Sequence, residues 1–158
     1  MPAMTLRPFD PAHAATVSSW ARTDAEVRAW CAWTQAPVAP EAVAAWGREE
    51  GVRAYALAEE GRPVAYGELW VDPEEQEVEL ARLIVDPGHR GRGVGRLLAA
   101  RLAAQARSVY PRVHLRVQPD NAVAQRCYAA AGFVRVSAAE EERWNRGQPV
   151  PYVWMTFR

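Results

Sequence analysis

The chain has 158 residues, and its 19 cationic side chains, all Arg, balance 19 Asp and Glu to a formal net charge of zero. That length suits one domain with a substantial core, and shares of 49% apolar and 24% charged residues are those of a globular chain, not a disordered one. Balanced charge excludes a grip on nucleic acid through overall basicity, and the absence of Lys excludes a Schiff-base lysine and the lysine of a P-loop.

The first elements read as a strand at residues 4–9, ended by Pro8, then helical patterns at 12–20 and from Asp24 onward, the second with Val27, Trp30 and Cys31 on one face. Pro37 and Pro40 break it, and a helix at 41–50 carries Val43 and Trp46 and closes at Gly51. From residue 52 the period becomes two. Strands at 55–58 and 64–71 are joined by a turn at 59–62, and a third strand at 77–85 (EVELARLIV) ends in an apolar run. A glycine-rich loop at 88–95 enters a helix at 94–109. A strand at 113–117 follows, then a helix capped by Asp120 or Asn121 that runs to Ala131, and strands at 133–136 and 152–157 joined by a long polar connection. Cys31 and Cys127 are far apart and lack CxxC or His-rich surroundings, which reads as two buried small hydrophobes, with neither a metal site nor a disulfide framework. No apolar run reaches the roughly 18 residues of a membrane span, and the N-terminus has no apolar leader core. The expectation is a cytoplasmic protein without membrane association. Its predicted fold is α+β and sandwich-like, a single domain over residues 1–158. A mostly antiparallel mixed sheet of about six or seven strands is flanked by about four helices, with a parallel pair where the unit at 77–117 crosses over.

The loop Asp86-Pro87-Gly88-His89-Arg90-Gly91-Arg92-Gly93-Val94-Gly95-Arg96 joins glycines that let backbone approach a ligand, the amides of a helix N-terminus, and Arg side chains. That set suits a phosphate. The spacing gives neither a GxGxxG fingerprint nor a Walker A loop.

Arg90-Gly91-Arg92-Gly93-Val94-Gly95 matches the [RQ]xxGx[GA] signature of the GNAT superfamily of N-acetyltransferases, and Asn121, Ala124, Tyr128 and Gly132-Phe133 resemble that family's NxxAxxxYxxxGF helix. The resemblance is specific over residues 77–136. It implies that acetyl-CoA is the acyl donor. Its pyrophosphate is taken by the loop Arg90, Gly91, Arg92, Gly93, Val94, Gly95 and Arg96, and its pantetheine by the strand edge Leu83, Ile84 and Val85, with Asn121 both capping its helix and touching the cofactor. Tyr128 matches the family tyrosine that gives a proton to the departing thiolate, and the Val85 amide matches the donor to the thioester oxygen.

For the base the expectation is Glu79, 11 positions before Arg90, the offset at which histone-acetylating relatives carry their glutamate. On a strand of period two it shares a face with Ala81, Leu83 and Val85, where burial raises its pKa towards a useful value. Glu68 is the second candidate. Where ribosomal-protein N-acetylating relatives have a Glu, this chain has Arg116, which removes that route. One or two tryptophans of the 20–46 region are expected to line the acceptor pocket.

Charge is strongly local. Residues 59–79 hold eight acidic side chains against Arg62, and residues 88–119 hold seven Arg and no acid, so a basic cofactor side faces an acidic strand pair able to attract a cationic amine. The function expected is acetyl transfer to a primary amine of a small molecule or amino-acid derivative, directly in a ternary complex. The alternatives are a non-catalytic acyl-CoA-binding module or an enzyme acting on a protein amine. No nucleic acid partner is expected, and the resemblance allows a homodimer.

Overall fold

The computed structural model describes residues 3–158. Its strands are β1 (Met4–Pro8), β2 (Val52–Glu59), β3 (Arg62–Asp72), β4 (Glu77–Val85), β5 (Arg112–Val117), β6 (Phe133–Arg135) and β7 (Val153–Phe157). The helices are α1 (Ala14–Ser18), α2 (Asp24–Cys31), α3 (Pro40–Trp46), α4 (Val94–Arg107), α5 (Ala122–Ala131) and α6 (Ala138–Trp144). All seven strands form one sheet in the order β1-β2-β3-β4-β5-β7-β6. Among the described residues only β4 and β5 run parallel. This is the α+β architecture expected, with the parallel pair made by the α4 crossover.

Helix α6 lies in what the polar composition suggested was a connection. Its start is written as Ser137-x-x-Glu140: the Ser137 hydroxyl accepts from the Glu140 amide at 3.2 Å, a helix-start pattern that the run of three Glu obscured. A full capping box between Thr23 and Glu26 starts α2 in the same manner. Among the described residues no helix is long and apolar enough to cross a membrane.

The sheet separates two apolar layers. One face buries Leu69, Val78, Leu80, Leu115 and Met155 against Leu98, Leu102 and Ala103 of α4. The other buries Tyr66 and Ile84 against Val17 of α1, Val27 and Trp30 of α2, and Trp46 of α3. Between them β4 carries a bulge. Its register on β3 steps from Tyr66↔Ile84 to Glu68↔Ala81, so Arg82 and Leu83 together oppose Gly67, and Arg82 takes φ +51°. An inserted residue reverses which side chains face which layer. Val78 and Leu80 before the bulge, and Leu83 and Val85 after it, therefore all pack towards α4. This corrects the expected alternation: Glu79 shares its face with Ile84, not with Leu83 and Val85. Gly67 makes the bulge possible, because a Cβ there would stand 2.6 Å from Leu102 Cδ1 and 3.2 Å from Leu83 Cγ.

Candidate active site

β4 pairs with β5 only from Glu77↔Arg112 to Leu80↔Leu115. Beyond Leu80 the strands part, and a cleft of about 410 Å³ opens between residues 81–85 and 116–118, bordered by α2 on one face and by Asn121, Ala124 and Tyr128 on the other. The amide of Asp86 donates to Val64 O at 2.9 Å, towards β3. Strand alternation therefore turns the amide and carbonyl of Val85 towards the open side.

The glycine loop stands at one end of this opening. Gly91 and Gly93 hold φ of +78° and +79°, and Gly93 caps α4 without any side-chain hydrogen bond, whereas Thr23, Asn121 and Ser137 cap their helices with side chains. The first amides of α4 are thus free to meet an anion. Gly95 lets α4 approach both α5 and β4, since a Cβ there would lie 3.2 Å from Cys127 Sγ and 3.6 Å from Val85 Cγ2. Val94 is buried in the core beneath the loop.

The arginines of the loop divide in two. Arg92 and Arg96 are exposed and make no hydrogen bond or ion pair among the described residues. Arg90 is tied back to the protein: it donates to Val85 O at 3.1 Å, to Trp20 O at 3.2 Å and to Glu26 Oε2 at 2.7 Å. Its guanidinium holds the Glu26 carboxyl below the ordinary carboxylate range, against the smaller opposing effect of burial. The side chain of Arg90, expected at the phosphates, instead fastens the loop to α2 and the end of β4.

Tyr128 is partly buried in the cleft wall, edge-on to Phe133 with centroids 6.4 Å apart. Burial raises its pKa above the ordinary phenol range, and Cys127 adds to that. The hydroxyl keeps its proton and has no hydrogen-bond partner among the described residues. Asn121 lines the same cleft, with its side-chain oxygen accepting from the Ala124 amide at 3.1 Å.

The carboxylates differ from expectation. Glu79 is only 9% exposed, yet Arg116 grips it with two prongs, Nε to Oε2 at 2.7 Å and Nη2 to Oε1 at 2.9 Å. The His114 ring lies 3.8 Å from Oε1. Burial alone would raise the Glu79 pKa, but His114 and Arg116 outweigh it and hold the carboxyl low. It is a poorer base than the raised carboxyl expected. Glu68 is 0% exposed and accepts from Tyr66, from Trp70 Nε1 at 2.8 Å and from Arg82 at 3.0 Å. Burial raises its pKa, but it does not line the cleft, and both of its oxygens already accept hydrogen bonds. Glu50, Asp72 and Glu77, none of them in an ion pair among the described residues, border a second hollow that shares Trp70 and Glu79 with the cleft.

The stretch holding the open β4 edge, the uncapped helix and Tyr128 is also the stretch that known proteins share. A model of the "Acetyltransferase (GNAT) family" matches residues 13–133. The chain belongs to the GNAT acetyltransferase family. Curated relatives include the mycothiol acetyltransferase of Streptomyces bingchenggensis (strain BCW-1), 44% identical over 62 residues, which are 38% of this chain and 20% of that protein. Another is the mycothiol acetyltransferase of Jonesia denitrificans, 35% identical over 94 residues, 59% of this chain and 29% of the relative. The matches therefore span less than a third of those proteins' length. Among solved structures, aminoglycoside acetyltransferase AAC(6')-Ib with coenzyme A and kanamycin superposes at TM-score 0.72, with 19% identity over 98% of this chain and 94% of that one. The spermidine N-acetyltransferase of Vibrio cholerae with CoA and spermine gives 0.69, with 17% identity over 85% and 82%. These likenesses show the fold.

Within this GNAT fold the cleft holds residues that periodicity did not single out: Arg82, Trp70 and Tyr152 line it, and Arg116 is held there by Glu79 and Gln148. One signal was available for Arg116. With Val113, Leu115 and Val117 apolar, His114 and Arg116 must share the other face of β5, and the parallel register Glu79↔His114 puts Glu79 on that face beside them.

Proposed function

We propose that this GNAT chain binds acetyl-CoA at the α4 loop and passes its acetyl group directly to the amine of a small acceptor seated on the α2 side of the sheet. The observation that carries this reading is the meeting, at one opening, of the outward Val85 amide, the uncapped α4 N-terminus and the unpartnered Tyr128 hydroxyl. The donor set fits the ligand: bare amides, two positive-φ glycines and the free Arg92 and Arg96 suit a pyrophosphate, and an unpaired strand edge suits a chain of amides. Bound acetyl-CoA would supply an acyl group activated as a thioester.

The chain's own residues do the rest. The edge Leu83–Val85 orients the ligand as an added strand, and the Val85 amide offers a hydrogen bond where negative charge develops on an acyl oxygen. Tyr128 holds a proton at its hydroxyl for the departing sulfur. Glu79 is held by Arg116, so the amine sheds its proton to water in the open cleft. The likeness to mycothiol, aminoglycoside and spermidine acetyltransferases supports a small-molecule amine over a protein one.

The test is release of free thiol when the purified protein meets acetyl-CoA and a panel of small amines. Tight CoA binding by calorimetry with no turnover on any amine would favour a non-catalytic binding module. Absence of CoA binding would overturn both readings.

A further inference from the structure

Arg116 is both fixed and open. Nε and Nη2 grip Glu79, Nη1 donates to Gln148 Oε1 at 2.9 Å, and the guanidinium lies over the rings of Trp154 at 4.8 Å and Tyr152 at 5.5 Å. Three of its five N–H donors are used, which leaves two. Its side chain is 28% exposed and lines the cleft on the acceptor side together with Tyr152 and Trp70. A guanidinium whose plane is set in advance loses little freedom on meeting a planar oxyanion.

The charges around it point the same way. Facing the cleft are Glu26 and Arg28 from α2, Glu79 and Arg82 from β4, Arg90 from the loop and Arg116 from β5, with His114 behind Glu79. Each carboxylate already has an arginine: Glu26 has Arg90, Glu79 has Arg116, and the Glu68 beneath has Arg82. The lining itself carries four Arg against two Glu. An ammonium entering here finds no carboxylate without a partner, whereas a carboxylate finds Arg116 with donors to spare.

We propose that Arg116 is a specificity-determining residue that receives a carboxylate of the acceptor, so that the acceptor is an amino acid or amino-acid derivative and not a polycationic amine. This overturns the attraction for cationic amines suggested by the acidic strand pair, whose acids are paired or face elsewhere. Glu79 becomes the positioning residue that aims Arg116. The catalytic arm of the test rests on the acetyl-transfer reading, and the binding arm does not.

Matched acceptors that differ only by a carboxylate decide the matter: phenylalanine against phenethylamine, and arginine against agmatine, with spermidine and kanamycin as polycations. In the thiol-release assay the carboxylated member should have kcat/KM about 10- to 100-fold higher, the span of one charge-assisted contact, with the polycations poorest. Arg116→Gln should bring the members of each pair to within a few-fold, chiefly through KM. Because that variant leaves Glu79 unpaired, the double variant Glu79→Gln/Arg116→Gln is measured beside it and should show the same loss of preference. In the binding arm, N-acetylphenylalanine and N-acetylphenethylamine are titrated into the CoA-loaded protein by tryptophan fluorescence. Preference for the carboxylated ligand, lost in the double variant, supports the proposal even if no amine is turned over. Equal binding of the two, or better turnover of agmatine than of arginine, overturns it.

Discussion

The indole N–H of Trp30 donates to the carbonyl of Arg82 at 2.9 Å, so helix α2 holds the bulge residue of β4 by its backbone. The same helix is tied to the glycine loop through Glu26 and Arg90 at 2.7 Å. One short helix thereby fixes both ends of the segment that presents the Val85 amide. Trp30→Phe keeps an aromatic ring but removes the donor together with part of a buried side chain that packs on Trp46 and Tyr66. It should cost about 1–3 kcal/mol for the carbonyl left without its partner, with a further loss from the cavity left by the smaller ring, and should weaken CoA binding as the edge loosens. Urea denaturation and calorimetry with CoA measure the two effects; a variant unchanged in both would show that the Arg82 side chain alone holds the bulge.

The Arg82 guanidinium is stacked over Trp46 at 4.2 Å and Trp70 at 5.1 Å while it pairs with Glu68. Arg82→Met would leave a fully buried carboxylate without its cation, at a cost of about 3–5 kcal/mol. Burial already raises the Glu68 pKa, and losing Arg82 raises it further, so the protonated form is favoured in the folded state. The loss should therefore be greatest at neutral pH and shrink as pH falls towards the pKa of an unfolded glutamate, about 4.3. The double variant Glu68→Gln/Arg82→Met should recover part of the loss, and thermal denaturation across pH checks both statements.

Tyr128→Phe removes the one unpartnered hydroxyl on the α5 side of the cleft and leaves the packing on Phe133 in place. For a positioned acid the expected fall in kcat is about 10²-fold or more, with CoA affinity within a few-fold of the parent. Parallel losses in turnover and affinity would make Tyr128 a packing residue only.

The loop, its helix and the Asn121 to Phe133 frame were legible because their chemistry is local: glycine backbone, a cap and a sequence spacing. The bulge was not, because period two was extended through Arg82. A trace of it remains in the spacing of apolar residues, which runs 78, 80, then 83, 85. The electrostatics of the cleft were hidden for another reason. Arg116 counted as one of seven basic charges near the cofactor, and Glu79 as one of eight acids, yet each is neutralised by the other across 37 residues of sequence. Segment sums of charge do not register such pairs. Helix α6 was hidden because it is one short element that docks through polar contacts, such as Glu141 on the Trp154 amide, and its Ser137 cap carried the signal.

Gly67→Ala tests the bulge from the α4 side. The added carbon would stand 2.6 Å from Leu102 Cδ1, with Leu83 and Leu98 at 3.2 and 3.7 Å, and because Leu102 is fully buried its displaced methyl must press on the packed core. Overpacking of this kind costs about 1–3 kcal/mol. Displacement of α4 should also carry the loop with it, and CoA affinity should fall together with stability. The further change Leu102→Ala makes room, and its partial rescue of CoA affinity in the double variant would confirm that the contact is the cause.

Glu79 gives the last prediction its sign. Its folded-state pKa is held below the ordinary glutamate value, since His114 and Arg116 outweigh the opposing effect of burial. A carboxyl with a depressed folded pKa contributes stability that is present above the unfolded pKa of about 4.3 and is lost as pH falls through the folded value. The parent should therefore lose stability on acidification below about pH 4.3 more steeply than Glu79→Gln, which cannot titrate there. At neutral pH the parent is the more stable of the two. Glu79→Gln leaves the Arg116 charge without its anion, but Arg116 is 28% exposed, so the loss should fall at or below the lower end of the roughly 3–5 kcal/mol seen when a buried pair is broken. Glu26 and Glu141, also held low by arginines, add acid sensitivity to both proteins alike, and the difference between the two curves isolates Glu79. Denaturant titrations from pH 3 to 8 provide those curves. Parallel curves would mean that Glu79 has no depressed pKa and is not held by Arg116 in solution, which would return it to candidacy as the base.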